Sequence, residues 1–121
     1  MKLEALEIKS DNRGSLIEAF KLPNDGQLFY VVGLPNQTRG NHYHKRKTER
    51  FLIAWGTATI SVKDRVKGTQ MSVELSGDNP MIVTVAPNNT HNITNDEGYI
   101  CMIWVDEVFN PKDPDTIMEE I

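Results

Sequence analysis

Short runs of alternating apolar and polar residues, separated by turn residues, dominate this sequence. Ala58, Ile60 and Val62 alternate with hydroxyl residues, and the same period recurs in the run "MSVEL" before the turn "SGDNP". Alternation of period two indicates a half-buried strand, and no window sustains the period of a helix. Many short strands separated by glycine, proline and asparagine turns predict an all-β sandwich or small barrel. Further strands are predicted at residues 3–8, 16–20, 28–34, 51–55, 81–85 and 99–105.

The length and composition indicate one globular domain. A chain of 121 residues buries roughly two thirds of the surface that it exposes when unfolded, which is enough for a core. We therefore predict a single domain over residues 1–121, in which residues 107–121 form a C-terminal tail or a short helix. The single cysteine, Cys101, has no partner for an internal disulfide. Because the sequence has neither a signal-peptide pattern nor an apolar run near the roughly 20 residues of a membrane span, we expect a cytoplasmic protein without a membrane partner.

The charge of the chain argues against a nucleic-acid partner. The formal net charge is −4, whereas neutralising several phosphates needs a basic surface. Five of the thirteen basic residues nevertheless lie in one short segment, which is either a solvated turn or a clamp for a small anionic ligand. These residues are Arg39, Lys45, Arg46, Lys47 and Arg50.

The three histidines and one glutamate are spaced as ligands of a common site. His42 and His44 are two residues apart, so on a strand their side chains point to the same face. The four residues after His44 are enough to reverse the chain, so we expect Glu49 to begin the antiparallel partner strand and Gly56 to close it. The third histidine, His91, lies in a predicted turn before another strand.

Three imidazoles and one carboxylate are a suitable ligand set for a divalent transition metal. Imidazole binds zinc, iron, nickel and copper, and the carboxylate adds charge and admits manganese. We expect zinc at His42, His44, Glu49 and His91, with nickel, manganese or iron as alternatives. The simpler interpretation is that two histidines occupy alternate positions of an exposed strand without binding anything, because His-x-His alone is a weak pattern.

The full spacing resembles the two-part signature of the cupin superfamily, which implies a jelly-roll β-sandwich. Two positions depart from that signature, because Asn36 and Asn88 stand where glycines are usual, although asparagine tolerates a left-handed backbone. The signature comprises His42-x-His44-x4-Glu49-x6-Gly56, followed about forty residues later by Pro87, His91 and Asn95.

Longer strings narrow the resemblance to one branch of the cupins. The strings "DNRGSLIEAF", "GQLFYVVGLP" and "TRGNHYH" are similar to the deoxysugar-nucleotide epimerases. The strings "GNHYH", "THNI", "WVDE" and "FNPKDPDT" resemble the cupin domain at the C-terminal end of bifunctional capsular polysaccharide enzymes, which epimerise and then reduce a UDP-linked 4-keto-6-deoxy amino sugar. The likeness covers residues 11–116.

This resemblance implies an isomerase that acts on a nucleotide-linked 4-keto-6-deoxy sugar and epimerises C3 through an enolate. His42 matches the catalytic base of the metal-free relatives, but a histidine that binds zinc cannot also accept a proton. Arg13 and Arg39 would bind the diphosphate, and Glu18 and Gln27 would bind the nucleotide or the sugar. None of the three tyrosines lies on a motif that identifies it as the second proton-transfer group.

The resemblance leaves two other functions open, namely a sugar 3,4-ketoisomerase and a non-catalytic, metal-containing cupin that binds a sugar or another small ligand. The reductase half of the bifunctional enzymes has no counterpart in this sequence, so we expect a separate reductase to act downstream. We also expect a homodimer, with the N-terminal strand pairing across a two-fold axis to cover an exposed sheet edge.

Overall fold

The computed structural model describes residues 1–12, 14–16, 19–20 and 26–121. This part of the chain contains eleven strands and no helix, which confirms the all-β prediction. No helix in these ranges could therefore span a membrane. The strands are β1 (Lys2–Ala5), β2 (Lys9–Asp11), β3 (Gly14–Leu16), β4 (Gln27–Gly33), β5 (Thr38–Tyr43), β6 (Glu49–Asp64), β7 (Gln70–Ser76), β8 (Met81–Val85), β9 (Asn89–Thr94), β10 (Tyr99–Val105) and β11 (Ile117–Met118).

Two antiparallel sheets form the molecule, and they share the long strand β6. The first sheet has the order β1-β8-β6-β10-β4, and the second has the order β7-β6-β9-β5-β11. Strands β2 and β3 form a separate hairpin. Because neighbours in each sheet are distant in sequence, the chain crosses repeatedly between the sheets, as in a jelly roll.

Strand β6 passes from one sheet to the other at Gly56. Residues 49–52 pair with β8, whereas residues 57–63 pair with β7. Gly56 has φ +79°, and a Cβ there would lie 2.5 Å from the Gly98 carbonyl oxygen, so only glycine fits this bend. The prediction that Gly56 ends the strand was therefore wrong, because glycine redirects the strand without interrupting its pairing.

The core lies between the two sheets and draws on both. The first sheet contributes Phe51, Ile53, Val83 and Cys101, and alternate residues of the second sheet pack against them. The second-sheet members are Ala58, Ile60, Val62, Leu75 and Ile93. This arrangement confirms the inward face predicted from the alternation of residues 58–62.

Most predicted strands coincide with observed ones, and the differences occur at chain reversals. Strands β8 and β10 have the predicted bounds. The predicted strand at 16–20 lies partly outside the described residues. The C-terminal segment 107–121 contains turns and the short strand β11 but no helical residue. His91 lies within β9, whereas the sequence predicted a turn there.

Asparagines replace glycine at left-handed positions of this fold. Asn36 and Asn88 have φ values of 60° and 63°, in the region that glycine adopts freely and asparagine tolerates. Both residues stand where the cupin signature usually has glycine. The local backbone expected of the signature therefore survives these two substitutions.

Candidate metal centre and interior cavity

A β-bulge aligns His42 with His91 across two neighbouring strands. In the pairing of β5 with β9, Gly40 lies opposite Asn92 and His42 lies opposite His91, so Asn41 is the extra residue. Gly40 and Asn41 both have positive φ values, 92° and 53°. Such a bulge re-aims the side chains that follow it. The local turn chemistry of "RGNH" therefore brings the first and third histidines together.

Glu49 reaches the histidines from the opposite sheet. It is the first residue of β6, as predicted, but β5 pairs with β9 and β11 rather than with β6 in the described part of the chain. The expectation that Glu49 lies on the antiparallel partner of the His42 strand was therefore wrong. The segment between His44 and Glu49 carries the chain from one sheet to the other, so the carboxylate faces the imidazoles across the sandwich.

The four side chains form one compact, largely buried cluster. The ligand atoms of His42, His44, Glu49 and His91 all lie within 4.8 Å of one another. Glu49 Oε1 lies 2.8 Å from His44 Nε2, and Glu49 Oε2 lies 2.8 Å from His91 Nε2. The rings of His42 and His91 are 4.8 Å apart between centroids and nearly perpendicular.

Backbone carbonyl groups orient two of the histidine rings by accepting hydrogen bonds from their Nδ1 atoms. His44 Nδ1 donates to the Asp115 carbonyl oxygen at 2.6 Å, and His91 Nδ1 donates to the Asn89 carbonyl oxygen at 3.0 Å, with the tautomers assigned from these acceptors. Both Nε2 atoms therefore point into the cluster. A metal-binding histidine typically donates its other ring N–H in this way.

His91 Nε2 is buried and lacks an aligned hydrogen-bond partner, although Glu49 Oε2 lies within ion-pair distance. A buried nitrogen with a free lone pair is costly unless something else binds it. The donor set also suits a divalent ion by its chemistry, because zinc binds imidazole nitrogens and carboxylate oxygens. These residues could therefore hold a metal.

The electrostatics favour a charged Glu49 beside an uncharged His42. Burial alone would raise the pKa of Glu49, but its contacts with His44 and His91 more than offset this and hold the pKa below its ordinary value. Burial, followed by the proximity of His91, lowers the pKa of His42 to about 4. Burial also acts to lower the pKa of His44, but the hydrogen bond with Glu49 leaves this pKa raised. At neutral pH the cluster thus presents a carboxylate and a neutral imidazole, which are the protonation states that metal binding needs.

The basic segment after His44 is occupied by a carboxylate of the same chain. The main-chain N–H groups of Lys45, Arg46 and Lys47 donate to the Asp115 carboxylate at 2.9, 2.9 and 3.1 Å. The Lys47 side chain is buried, and its ammonium donates to the Pro114 carbonyl oxygen. In the described structure this part of the segment therefore holds an internal anion. Sequence reasoning missed Asp115 because it is 71 residues from His44.

An interior cavity of about 330 Å³ opens beside the cluster. His42, Glu49 and His91 line one part of it, residues 38–40 line another, and apolar residues of both sheets line most of the remainder. The apolar wall includes Val31, Phe51, Ile93 and Ile103. A smaller cavity of about 150 Å³ lies on the His44 side of the cluster, beneath Phe109 and Thr116. Concave apolar sites with a few convergent polar groups are typical of small-molecule binding.

Tyr99 is a further lining residue of the large cavity. Its side chain is only 1% exposed, and its hydroxyl has no hydrogen-bond partner in the described part of the chain. Burial, and then proximity to Cys101, raises the pKa of Tyr99, so the hydroxyl keeps its proton. No motif in the sequence identifies this residue. The available signal was a tyrosine directly after Gly98, at the start of a predicted strand.

Of the four predicted substrate-binding residues, one lines the large cavity, one does not, and the side chains of the other two are not described. Arg39 is exposed at the rim of the large cavity. Gln27 is not among the lining residues, and its side-chain oxygen accepts a hydrogen bond from the Phe109 main chain at 3.0 Å. Arg13 and Glu18 lie outside the residues whose side chains are described.

The jelly roll and its histidine and glutamate cluster define a cupin. Residues 9–117 match the family described as the polysaccharide biosynthesis C-terminal domain, and the chain belongs to this family. Both findings confirm the predicted fold and the resemblance to capsular polysaccharide cupins.

Two relatives are similar at the level of sequence. The chain is 37% identical over 109 residues to the UDP-2-acetamido-2,6-β-L-arabino-hexul-4-ose reductase of Pseudomonas aeruginosa. This match covers 88% of this chain and 29% of the reductase. It is 35% identical to the capsular polysaccharide assembling protein CapF from Staphylococcus aureus, with a TM-score of 0.77, covering 96% of this chain and 34% of that protein. The chain thus spans about a third of the length of these relatives.

A more distant structure shares the fold. The dTDP-4-dehydrorhamnose 3,5-epimerase from Sulfolobus tokodaii is 21% identical and has a TM-score of 0.81. The match covers 91% of this chain and 72% of the epimerase. At this identity the likeness shows the same cupin architecture.

Proposed function

We propose that this chain is an isomerase that acts on a nucleotide-linked 4-keto-6-deoxy sugar. The reaction is epimerisation at C3 through an enolate, in the biosynthesis of capsular or surface polysaccharide sugars. The observation that carries the proposal is one cavity that is lined by His42, Glu49 and His91 of the cluster, by Tyr99, and by Arg39 at the rim.

The names of the relatives support this class of substrate. The Pseudomonas protein is named for a UDP-linked sugar with a ketone at C4, and CapF is named for capsular polysaccharide assembly. The matched region is the part that this chain shares with both. We therefore assign this chain a step on the same kind of sugar, and propose a reductase as the partner that acts on its product.

The chemistry requires a base, an acid and stabilisation of an enolate. A C–H bond beside a ketone is acidified, so a base can remove the proton and an acid can return one to the other face. A divalent ion bound in the cluster would polarise the ketone as a Lewis acid. Tyr99 keeps its proton and faces the cavity, so we assign it the role of the acid.

His42 is the base or a metal ligand, and the two roles exclude each other. It lines both cavities, and its lowered pKa leaves the imidazole neutral and able to accept a proton. If His42 is the base, proton exchange survives complete removal of metal. If His42 binds the metal, exchange is lost with the metal and returns when the ion is restored.

Two arginines are assigned to the diphosphate, because the fork of guanidinium donors suits phosphate oxygens. Arg39 at the cavity rim supports this assignment, and Arg13 remains a prediction from sequence. Glu18 and Gln27 likewise remain predicted contacts of the nucleotide or the sugar. Because Gln27 Oε1 accepts from Phe109, its contact with a ligand would use the amide NH₂ group.

Deuterium exchange tests the reaction. A UDP- or dTDP-linked 4-keto-6-deoxy sugar is incubated with the protein in deuterium oxide and followed by proton NMR. We expect loss of the C3 proton signal at a rate proportional to protein concentration. Movement of the ketone to C3 would identify a 3,4-ketoisomerase instead, and tight binding without exchange would identify a cupin that only binds the sugar.

We propose zinc as the metal, because zinc binds both imidazole and carboxylate and can expand to five-coordinate, which would admit the ketone oxygen. Nickel, manganese and iron are the alternatives, which elemental analysis distinguishes. Protein purified without added metal should contain close to one divalent ion per chain, and His91→Ala should lower that content. A chelator should lower the melting temperature, since an ion that binds only the folded state stabilises it. Protein that stays metal-free after incubation with zinc, nickel and manganese would contradict the proposal.

A homodimer is supported by the outer face of the first sheet. The register places Val32, Ile100 and Trp55 side by side across three strands, and Val32 and Trp55 are exposed. Such a patch on a small domain favours association with a second copy. Sedimentation should give a dimer at micromolar concentration, which Trp55→Glu should weaken, and a monomeric wild type would contradict this. The cytoplasmic location stays a prediction of the sequence.

A further inference from the structure

The C-terminal segment crosses the outside of the histidine and glutamate cluster. We call residues 107–119 the C-terminal strap. Strand β11 of the strap pairs with His42 and Tyr43, and the Glu119 main-chain N–H donates to the Asn41 carbonyl oxygen at 2.9 Å. The strap therefore contacts the strand that carries His42 and ends one residue before His44.

One residue of the strap makes two kinds of contact with the ligand segment. Asp115 is only 7% exposed, and its carboxylate accepts the three main-chain N–H groups of residues 45–47. Its main-chain carbonyl accepts the hydrogen bond from His44 Nδ1 at 2.6 Å. The carboxylate docks the strap, and the docked backbone then fixes the His44 ring.

We propose that Asp115 is a positioning residue for the metal centre: it docks the strap so that the residue 115 carbonyl aims His44 Nε2 at the ion. The inference rests on the metal centre of the proposed function. An imidazole whose Nδ1–H is held by a carbonyl presents its Nε2 lone pair in a fixed direction, which raises metal affinity. No substitution at residue 115 removes that carbonyl, so the side chain acts by placing it.

The proposal predicts coupling in both directions. If docking of the strap strengthens metal binding, metal binding must strengthen docking by the same factor, because the two equilibria are linked. Amide hydrogens of the strap should therefore exchange more slowly in the zinc-loaded protein than in the metal-free protein. A strap that only covers the surface would exchange at the same rate in both forms.

The backbone at residue 115 decides which variants are informative. Its φ is 51°, where alanine is strained but glycine is not. Asp115→Gly therefore removes the carboxylate without adding strain, and Asp115→Asn keeps one acceptor oxygen and tolerates the same backbone. Glu107→Gln is the matched control, because the Glu107 carboxylate also joins the strap to Arg46, but at an exposed ion pair.

Zinc affinity is measured by competition with a chromophoric chelator. Loss of a group that orients a metal ligand typically weakens binding about 10- to 100-fold, and we expect this range for Asp115→Gly. Asp115→Asn should fall between this variant and the wild type, and Glu107→Gln should match the wild type. The visible spectrum of the cobalt-loaded protein, which reports the ligand set, should change in Asp115→Gly alone.

Hydrogen exchange of the strap is measured on the same proteins with and without zinc. We expect zinc-dependent protection in the wild type and in Glu107→Gln, and its loss in Asp115→Gly. If Asp115→Gly does not fold, a weaker zinc affinity in folded Asp115→Asn supports the inference, and an unchanged affinity overturns it.

The outcomes separate this inference from the function. Wild-type affinity and protection in Asp115→Gly would overturn the inference and leave the metal centre standing. A wild type that binds no metal would overturn both. A wild type that binds zinc but does not exchange the C3 proton would overturn only the proposed reaction.

Discussion

Two cavities in the described part of the chain have similar volumes but differ in how their polar groups are held. The interior cavity has about 330 Å³. A second cavity of about 280 Å³, which we call the outer cavity, is lined by residues 57–59, Glu74 and residues 94–97. Glu49 in the first is 8% exposed and contacts two imidazoles, each held from behind by a carbonyl. The carboxylates of the outer cavity, Glu74, Asp96 and Glu97, are exposed.

A site that can bind or react depends on polar groups that are buried and oriented, rather than on the number of such groups. In the outer cavity water competes for the exposed carboxylates, so their positions are not strongly constrained. In the interior cavity the clustered side chains contact one another instead of water. These contacts fix their positions, and together with burial they shift the pKa values of His42, His44 and Glu49. We therefore expect substitutions in the interior cavity to have far larger effects than equivalent changes outside.

The largest effect is expected from Glu49→Gln. Glutamine preserves the shape but removes the charge that balances a cation among three imidazoles, so metal content should fall to near zero. C3 exchange should be lost with the metal if His42 is a metal ligand, and should persist if His42 is the base. Elemental analysis and the NMR assay measure both. The matched outer change is Glu97→Gln, which should alter neither quantity. Full metal content in Glu49→Gln would show that the carboxylate is not a ligand.

Tyr99→Phe removes one buried hydroxyl from a residue that lines the interior cavity. Because proton transfer by a positioned group contributes about 10²- to 10⁴-fold, the exchange rate should fall by at least about 100-fold. Metal content should not change, and the melting temperature should not fall, since the hydroxyl has no partner to lose. Tyr43→Phe is the control, because Tyr43 stacks on Arg65 and does not line the cavity. Equal rates in the two variants would remove Tyr99 from the mechanism.

Arg39→Ala tests the rim of the interior cavity. A hydrogen bond to a charged group contributes about 1.5–3 kcal/mol, and the exposure of Arg39 favours the lower end of that range. We expect the KM for the nucleotide sugar to rise by roughly tenfold, with metal content unchanged. Lys45→Ala removes an equally exposed cation that does not line this cavity and should leave KM unchanged. A wild-type KM in Arg39→Ala would exclude the phosphate role.

A pH dependence of stability should distinguish the interior histidine from solvent-exposed groups. Burial lowers the pKa of His42 to about 4, whereas a histidine in the unfolded chain titrates near 6.5. The unfolded state therefore binds more protons in this window, so stability is lost as the pH falls from about 6.5 toward 4. Urea unfolding of the metal-free wild type should show this loss, and metal-free His42→Asn should show less of it. Parallel pH profiles would contradict the lowered pKa.

The smallest effect is expected from the outer cavity. Glu74→Gln should change the free energy of unfolding by no more than about 0.5 kcal/mol, as is usual for exposed positions. It should leave metal content and exchange unchanged. A loss of sugar binding in this variant would reverse the comparison and locate a ligand on the outer face.

Local patterns carried the fold prediction. The alternation around Ile60 identified an inward face, and the bounds of β8 and β10 followed from apolar runs between turn residues. A period of two is a local property of the backbone, so the sequence reveals it without knowledge of pairing. Pairing itself is not local, and the sequence therefore did not show that β6 continues through Gly56 into the second sheet.

The candidate site, like the fold, was predicted only in part from the sequence. Sequence alone determined the identity of the four clustered side chains, because their spacing and the surrounding strings resemble a known signature. Only the tertiary structure decided that Glu49 faces the histidines from the other sheet, that a bulge at Asn41 aligns His42 with His91, and that Asp115 lies behind His44. These features depend on sheet register and on contacts between residues as many as 71 positions apart. A one-residue change in register reverses the face of every following side chain, so no local pattern could have determined them.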